Sequence, residues 1–182
     1  MKNKPTLEKR VKKLIKEKQG VKIDLGCGER KQGDDFIGVD YRKLDGVDVV
    51  WNLEEYPYPF PDECASLVVA THVLEHINPH AGVFIDMMNE VWRIMKIGGE
   101  FAFVVPYAGS PGYWQDPTHV NPISRNTLAY FDPLDPKIGN QLYSIYRPKP
   151  WKIKVVNFHQ AGNLEAVLVK RRIDKSYGVL DE

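Results

Sequence analysis

Two glycines and an aspartate make the first chemically suggestive constellation in this sequence. Gly26 and Gly28 flank Cys27 just beyond a short apolar run, and Asp40 closes the next run twelve residues after Gly28. Glycine at a strand tip lets a ligand approach the backbone closely. A carboxylate at the neighbouring tip can accept both hydroxyls of a ribose. The pattern predicts a nucleoside whose tail extends over the glycine turn. A second constellation lies at Tyr113-Trp114-Gln115-Asp116-Pro117-Thr118-His119. Its aromatics could wall an acceptor, and Asp116 with His119 could form an orienting acid–base pair. The alternative is equally simple: Asp116 caps a turn made by Pro117, and His119 bonds a backbone carbonyl. His72 and His76 are spaced i, i+4, which can mark a metal pair, but they straddle a strand end and no metal site is expected. His76 reads instead as a packing or hydrogen-bonding residue at a helix start, and His80 as a surface residue. Tyr107 is a weaker candidate base. Arg125, Tyr130 and Arg147 could touch an acidic or phosphorylated acceptor.

These residues need elements to hold them. Val21 to Leu25, Phe36 to Val39, Val47 to Trp51 and Ser66 to Ala70 read as strands, the last an apolar run buried on both faces. His80 to Met95 reads as a helix with Val83, Met87, Val91, Ile94 and Met95 on one face, stopped by Gly98-Gly99. Glu100 to Val105 is the next strand. Tyr107 to Pro150 is rich in Pro, Gly, Asn, Asp and Tyr, and predicts an irregular lid over the acceptor site with one short helix, Ser124 to Phe131, capped by Ser124. Lys152 to Phe158 and Leu164 to Arg171 predict a terminal hairpin within 151–172, turning at Gly162-Asn163. After Arg172 the tail reads as frayed. At the other end, Pro5 to Lys18 predicts a helix with Leu7, Val11, Leu14, Ile15 and Lys18 on one stripe. The order predicts an open, mostly parallel α/β sheet with one reversed strand near its edge.

Composition bounds the rest. A chain of 182 residues with 43% hydrophobic residues suits a single domain spanning 1–182. The net charge of +1 does not advertise a polyanionic partner, but residues 1–22 hold nine basic residues against Glu8 and Glu17. That basic helix (1–20) is either a docking helix with a solvated face or an anchor for nucleic acid or an acidic substrate. Two cysteines, Cys27 and Cys64, suggest no disulfide framework, so a reducing cytoplasm is the expected location. No apolar run approaches the ~18 residues of a membrane span, and no secretory signal is recognised.

The tail of the ligand can be narrowed. A dinucleotide fingerprint needs G-x-G-x-x-G opening a helix, whereas GCGERK has Lys31 at the third glycine position and only Glu29 to Asp35 before the next strand. Little room remains for a helix to hold phosphates, and Asp24 suits an ammonium better than a phosphate. A ribose with an amino-acid tail and no phosphate describes S-adenosylmethionine. At this point the sequence resembles the class I S-adenosylmethionine-dependent methyltransferases over roughly Val21 to Pro106. DLGCG (Asp24 to Gly28) resembles their first motif and IGVD (Ile37 to Asp40) their second. Trp51 to Ile77, ending in THVLEHI, resembles the segment that runs through the adenine contact into the fourth strand. EVWRIMKIGGEFAFVVP (Glu90 to Pro106) resembles their helix, glycine turn and fifth strand.

The resemblance implies a Rossmann-like seven-stranded sheet with the last strand antiparallel and helices on both faces. It implies that Asp24, Gly26, Cys27 and Gly28 line the methionine part, Asp40 and Tyr41 the ribose, Asn52 and Leu53 the adenine, and that His72 lies near the reactive methyl. His119, His72 and Asp116 are the expected catalytic residues. ATHV stands where base-amine methylases carry a [D/N]PP[Y/F] turn, and neither cysteine is placed to attack a pyrimidine. The leading expectation is therefore methylation of an oxygen or nitrogen on a small molecule. The alternatives are a non-catalytic cofactor-binding partner protein, or an enzyme acting on nucleic acid or protein. A nicotinamide reductase is disfavoured by the missing third glycine.

Overall fold

The computed structural model describes residues 9–17, 19–136, 139–174 and 178–179. Helix α1 (Lys9–Glu17) leads into β1 (Val21–Leu25), β2 (Phe36–Asp40), β3 (Val49–Val50) and β4 (Ala65–Thr71). Short 3-10 turns at Leu74–His76 and His80–Gly82 precede α2 (Val83–Ile94) and β5 (Met95–Pro106). Then come α3 (Pro111–Trp114), α4 (Arg125–Ala129), α5 (Gly139–Tyr146), β6 (Trp151–Phe158) and β7 (Asn163–Lys170), with a small pair β8 (Ile173–Asp174) and β9 (Gly178–Val179). Seven strands form one sheet in the order β3-β2-β1-β4-β5-β7-β6. The first five are parallel, and β7 runs antiparallel to both β5 and β6. The reversed strand thus lies next to the edge, as the hairpin reading required.

Most predicted elements stand, with informative shifts. Strand β3 keeps only Val49 and Val50, while β5 starts at Met95, before the glycines expected to precede it. Left-handed Ala81 (φ 52°) and Gly82 (φ 80°) delay α2 to Val83. Ser124 caps α4 as predicted, in a reciprocal box with Thr127. The segment 107–150 holds three helices rather than one; α3 and α5 were not expected. The start of the N-terminal helix (Pro5 to Leu7), Lys18 and most of the tail after Arg172 lie outside the described residues.

The two faces of the sheet differ. Phe101, Phe103, Val105, Ala166 and Leu168 are buried at 0–2% exposure. That face carries α2 and α4, with the Phe84 and Phe131 rings 5.7 Å apart and Trp92 Nε1 donating to the Pro150 carbonyl. Side chains alternate along a strand, so Leu67, Val69, Ala102, Val104, Val167 and Val169 point the other way, and all are only half-buried. Over β1 and β2 this second face is covered by loop, not helix: the Gly46 carbonyl stands 2.4 Å from where a Cβ of Gly38 would be, and Lys31 pairs with Asp48 at 2.7 Å. The expected helical cover on both faces is therefore uneven. The short crossover after Gly28 is the cause, since it has no length for a helix. No helix among the described residues is long and apolar enough to cross a membrane.

Candidate functional site

The tips of β1 and β2 are tied together by the glycine turn. Gly26 (φ 68°) and Gly28 (φ 57°) are both left-handed, a conformation that costs a side-chain-bearing residue about 1–2 kcal/mol. At Gly26 space is also lacking, because a Cβ would stand 2.3 Å from Val73 Cγ2. The turn aims the Gly26 and Cys27 N–H groups at the Val39 carbonyl (2.7 and 3.1 Å) and the Gly28 N–H at Asp40 Oδ2 (3.1 Å). Asp40 Oδ1 accepts from the Arg42 N–H and Nε (2.9 and 3.2 Å). A carboxylate offers about four lone-pair sites, so Asp40 is anchored with capacity left for a further donor. Asp24 is buried beneath the turn, and its Oδ2 accepts the Gln32 N–H at 2.9 Å. Burial raises the Asp24 pKa, against the pull of the Gln32 N–H and the Lys31 charge. The Cys27 thiol turns away towards the Gly46 carbonyl (3.7 Å), and burial beside Asp24 and Asp40 pushes its pKa up to about 12.

The opposite wall is built at the end of β4. His72 is left-handed (φ 53°) and its N–H is held by the Val104 carbonyl of β5 at 2.9 Å. Strained backbone of this kind persists where surrounding structure over-determines it, and clusters at functional sites. Its Nδ1 lies 3.2 Å from Glu75 Oε1, a carboxylate with 0% side-chain exposure. The Glu75 carbonyl accepts the Val120 and Asn121 N–H groups (2.9 and 3.0 Å), and Asn121 Nδ2 donates to the Leu74 carbonyl (2.9 Å). These bonds stitch the 3-10 turn at Leu74–His76 to the segment after α3.

In that segment Asp116 caps a turn and His119 bonds a backbone carbonyl. Asp116 Oδ1 accepts from the Thr118 N–H (2.8 Å) and hydroxyl (2.7 Å), and these bonds lower its pKa. His119 Nδ1 donates to the Tyr113 carbonyl at 2.8 Å, while Nε2 lies 3.7 Å from Asp116 Oδ2. The His119 ring packs between Tyr113 and His76, with centroids 5.5 and 4.9 Å away.

A cleft of about 520 Å³ joins the two walls. Gly26, Asp40, Tyr41, Asn52, Leu53 and His72 line it, as expected. Asp24, Cys27, Gly28, Asp116 and His119 do not; they support the lining from behind. His76, a candidate base but read first as a packing residue, does line it, with Thr118 of the segment expected over this end of the sheet and with Arg42, which was not expected. Asn52 Oδ1 accepts the Glu54 N–H at 3.1 Å. Arg125 pairs with Asp135, Tyr130 stacks on Tyr146 (5.6 Å), and Tyr107 packs on Phe158 (5.1 Å), away from the cleft. A larger cleft of about 920 Å³ lies between α1 and Tyr58, Phe60 and Trp51. It contains no part of the glycine turn and no strand-tip acid, both of which border the smaller one.

Residues 23–103 match the protein family described as "Methyltransferase domain". The sheet, with one antiparallel strand next to its edge, is the one that the resemblance implies. Over these residues the chain is similar to the class I S-adenosylmethionine-dependent methyltransferases. Solved methyltransferase structures share the fold. A SAM-dependent methyltransferase from Archaeoglobus fulgidus is 18% identical, with TM-score 0.59, covering 88% of this chain and 91% of the other. A 16S rRNA (adenine(1408)-N(1))-methyltransferase from Catenulisporales acidiphilia, solved with cosubstrate SAM, is 14% identical with TM-score 0.55 (88% and 89% covered). A chain of the "Complex between the Haloferax volcanii Trm112 methyltransferase activator and the putative methyltransferase" is 13% identical with TM-score 0.54 (87% and 88%).

Around this cleft the residues to which sequence reasoning gave no role are Arg42, Glu75 and Thr118, the last inside the segment it singled out. Arg42 was detectable in principle, two residues beyond the strand-tip acid and within reach of it. Glu75 sits inside the quoted VLEHI phrase, but nothing local marks it as buried.

Proposed function

We propose that the chain binds S-adenosylmethionine between the glycine turn and Asp40, and transfers its methyl group to an oxygen or nitrogen of a small molecule. The observation that carries this reading is the single cleft joining Asp40 and Gly26 to His72 and His76. Its volume of about 520 Å³ falls in the range of pockets that enclose small ligands. The donor set fits the cofactor. The turn offers bare backbone, Asp40 keeps acceptor capacity for a ribose hydroxyl, and Asn52 and Leu53 stand where the resemblance puts the base. Asp24, committed to Gln32, holds the loop that shapes the methionine end. Bound there, the cofactor supplies an electrophilic methyl on a sulfonium.

This chain's own residues supply position and a proton acceptor. Glu75 Oε1, at 3.2 Å, keeps the proton on His72 Nδ1 and leaves Nε2 as the base. His119 and Asp116 fix Thr118 and His76 in the acceptor wall. The test is methyl transfer from labelled S-adenosylmethionine to separated pools of small metabolites and RNA. Label in small hydroxylated or amine products supports the reading, and label only in RNA overturns the acceptor class.

One observation favours a nucleic-acid acceptor as second reading. Lys9, Lys12, Lys13 and Lys16 of α1 line the larger cleft with Trp51 and Tyr58, and Trp51 also borders the cofactor cleft. Cations interleaved with aromatics track a phosphate backbone and stack bases. On this reading, RNA binding weakens steeply with salt.

A further inference from the structure

The acceptor wall contains a donor cluster that methyl transfer does not require. Glu75, His76 and His119 each offer one ligand atom, and these atoms lie within 4.8 Å of one another. We propose that they form a site for a divalent transition ion of the Zn²⁺ class, opening on the acceptor side of the cleft.

Four observations converge on it. Two imidazoles and a carboxylate are a donor set that zinc-class ions take with one position left open. The histidine tautomers are already set. His119 Nδ1 donates to the Tyr113 carbonyl at 2.8 Å, and His76 Nδ1 meets the Thr118 carbonyl and hydroxyl at 3.3 and 3.1 Å. The Thr118 hydroxyl donates to Asp116 at 2.7 Å, so it accepts from His76. Both rings therefore keep a free lone pair on Nε2, the second-shell arrangement found around ligating histidines. The third observation is independent of the histidines. Glu75 is fully buried, yet its Oε2 has no hydrogen-bond partner, while Oε1 meets His72. An unpaired carboxylate oxygen in the interior is costly unless a cation meets it. Finally, the geometry is close. Donors around one tetrahedral ion at about 2.0–2.2 Å stand roughly 3.4 Å apart, against a span of at most 4.8 Å here. Asp116 Oδ2, 3.7 Å from His119 Nε2, adds negative charge beside the site.

His72 and His76, the pair that i, i+4 spacing singles out, are not the ligand pair. His72 is tied to Glu75, and the second imidazole comes from His119, 43 residues beyond His76. The three protein donors leave a position facing the cleft, since His76 and Thr118 line it. The acceptors this favours are those with an oxygen donor next to the methylated atom. That last inference rests on the methyl-transfer reading; metal binding itself does not.

The experiment is Co²⁺ titration of the full, tag-free, chelator-treated chain, followed by visible absorption and calorimetry, with Zn²⁺ competition. The expected result is one equivalent bound at micromolar affinity or tighter, displaced by Zn²⁺. His76→Ala and His119→Ala should each weaken binding at least about tenfold, as loss of a ligand does, while the surface variants His80→Ala and His159→Ala leave it unchanged. S-adenosylhomocysteine binding is measured on the same samples. It shows that each variant is folded and separates failure of the metal site from failure of the cofactor pocket. No binding below millimolar Co²⁺, or binding that survives both His76→Ala and His119→Ala in folded protein, overturns the proposal.

Discussion

The two walls of the cleft are made by different means. The wall proposed to hold the cofactor is local. Gly26, Gly28 and Asp40 lie within fifteen residues, and backbone groups close the structure: Val39 accepts two N–H groups and Asp40 a third. The wall proposed to face the acceptor is assembled across the chain. Its turn at Leu74–His76 is held by Val120 and Asn121, and its histidines come from both sides of β5. A wall built of backbone tolerates few residue types at its key positions but is indifferent to distant sequence. A wall built by side-chain stitching can change its acceptor through single substitutions while the cofactor end stays intact. The two walls should therefore respond separately to mutation.

The largest separation is expected at His72. Replacing it with Ala removes the Glu75-oriented base, and turnover should fall by about 10²–10⁴-fold with S-adenosylhomocysteine affinity little changed. Steady-state kinetics beside calorimetry reads both quantities, and a full kcat would remove His72 from the mechanism. Gly26→Ala strikes the other wall. The left-handed turn and the 2.3 Å approach to Val73 predict a loss of cofactor affinity of about 10²-fold, from roughly 3 kcal/mol of strain. Adding Val73→Ala should restore part of it, because the clash goes and the backbone strain stays. No rescue would mean that space is not the constraint.

Asn121→Ala tests the stitching itself. Its amide is buried at 4% exposure and bonds the Leu74 carbonyl, so its loss should cost about 1–3 kcal/mol of stability. The melting temperature should fall and kcat with it, while the cofactor affinity of the folded protein holds. Equal losses at both walls would erase the distinction. The smallest effect is expected at the thiols. With Cys27 pushed up to about 12 and Cys64 up to about 11 by burial, thiolate is scarce at pH 8. Iodoacetamide should leave both unmodified in the native chain and label both after denaturation. Rapid native labelling of Cys27 would mean that the turn opens.

The same contrast decides what could be read from sequence. Strands β1 and β4, the Ser124 cap and the Gly162 hairpin follow short-range rules of periodicity, capping and left-handed glycine, and the structure has them. The place of Asp40 at the tip of β2, bordering the cleft, was legible because clefts in parallel sheets open at strand tips. Helix α3 left a signal that was passed over: Ser110 followed by Pro111 is a cap with proline at the first helical position. Helix α5 (GNQLYSIY) carries no such marker. Glu75 was out of reach, since its burial depends on Val120 and Asn121 arriving from beyond β5. Asp116 and His119 were read as either functional or merely structural. The structure has the turn cap and the carbonyl bond, which hold both residues next to the cleft lining.

The most direct test is calorimetric titration of the native chain and of Asp40→Ala with S-adenosylmethionine and S-adenosylhomocysteine, with NADH as control. The account predicts micromolar binding of the first two to the native chain, no binding of NADH, and a loss of about 10- to 100-fold in Asp40→Ala, the worth of one or two hydrogen bonds to a charged group. Unchanged affinity in Asp40→Ala, or no binding to the native chain, would contradict it.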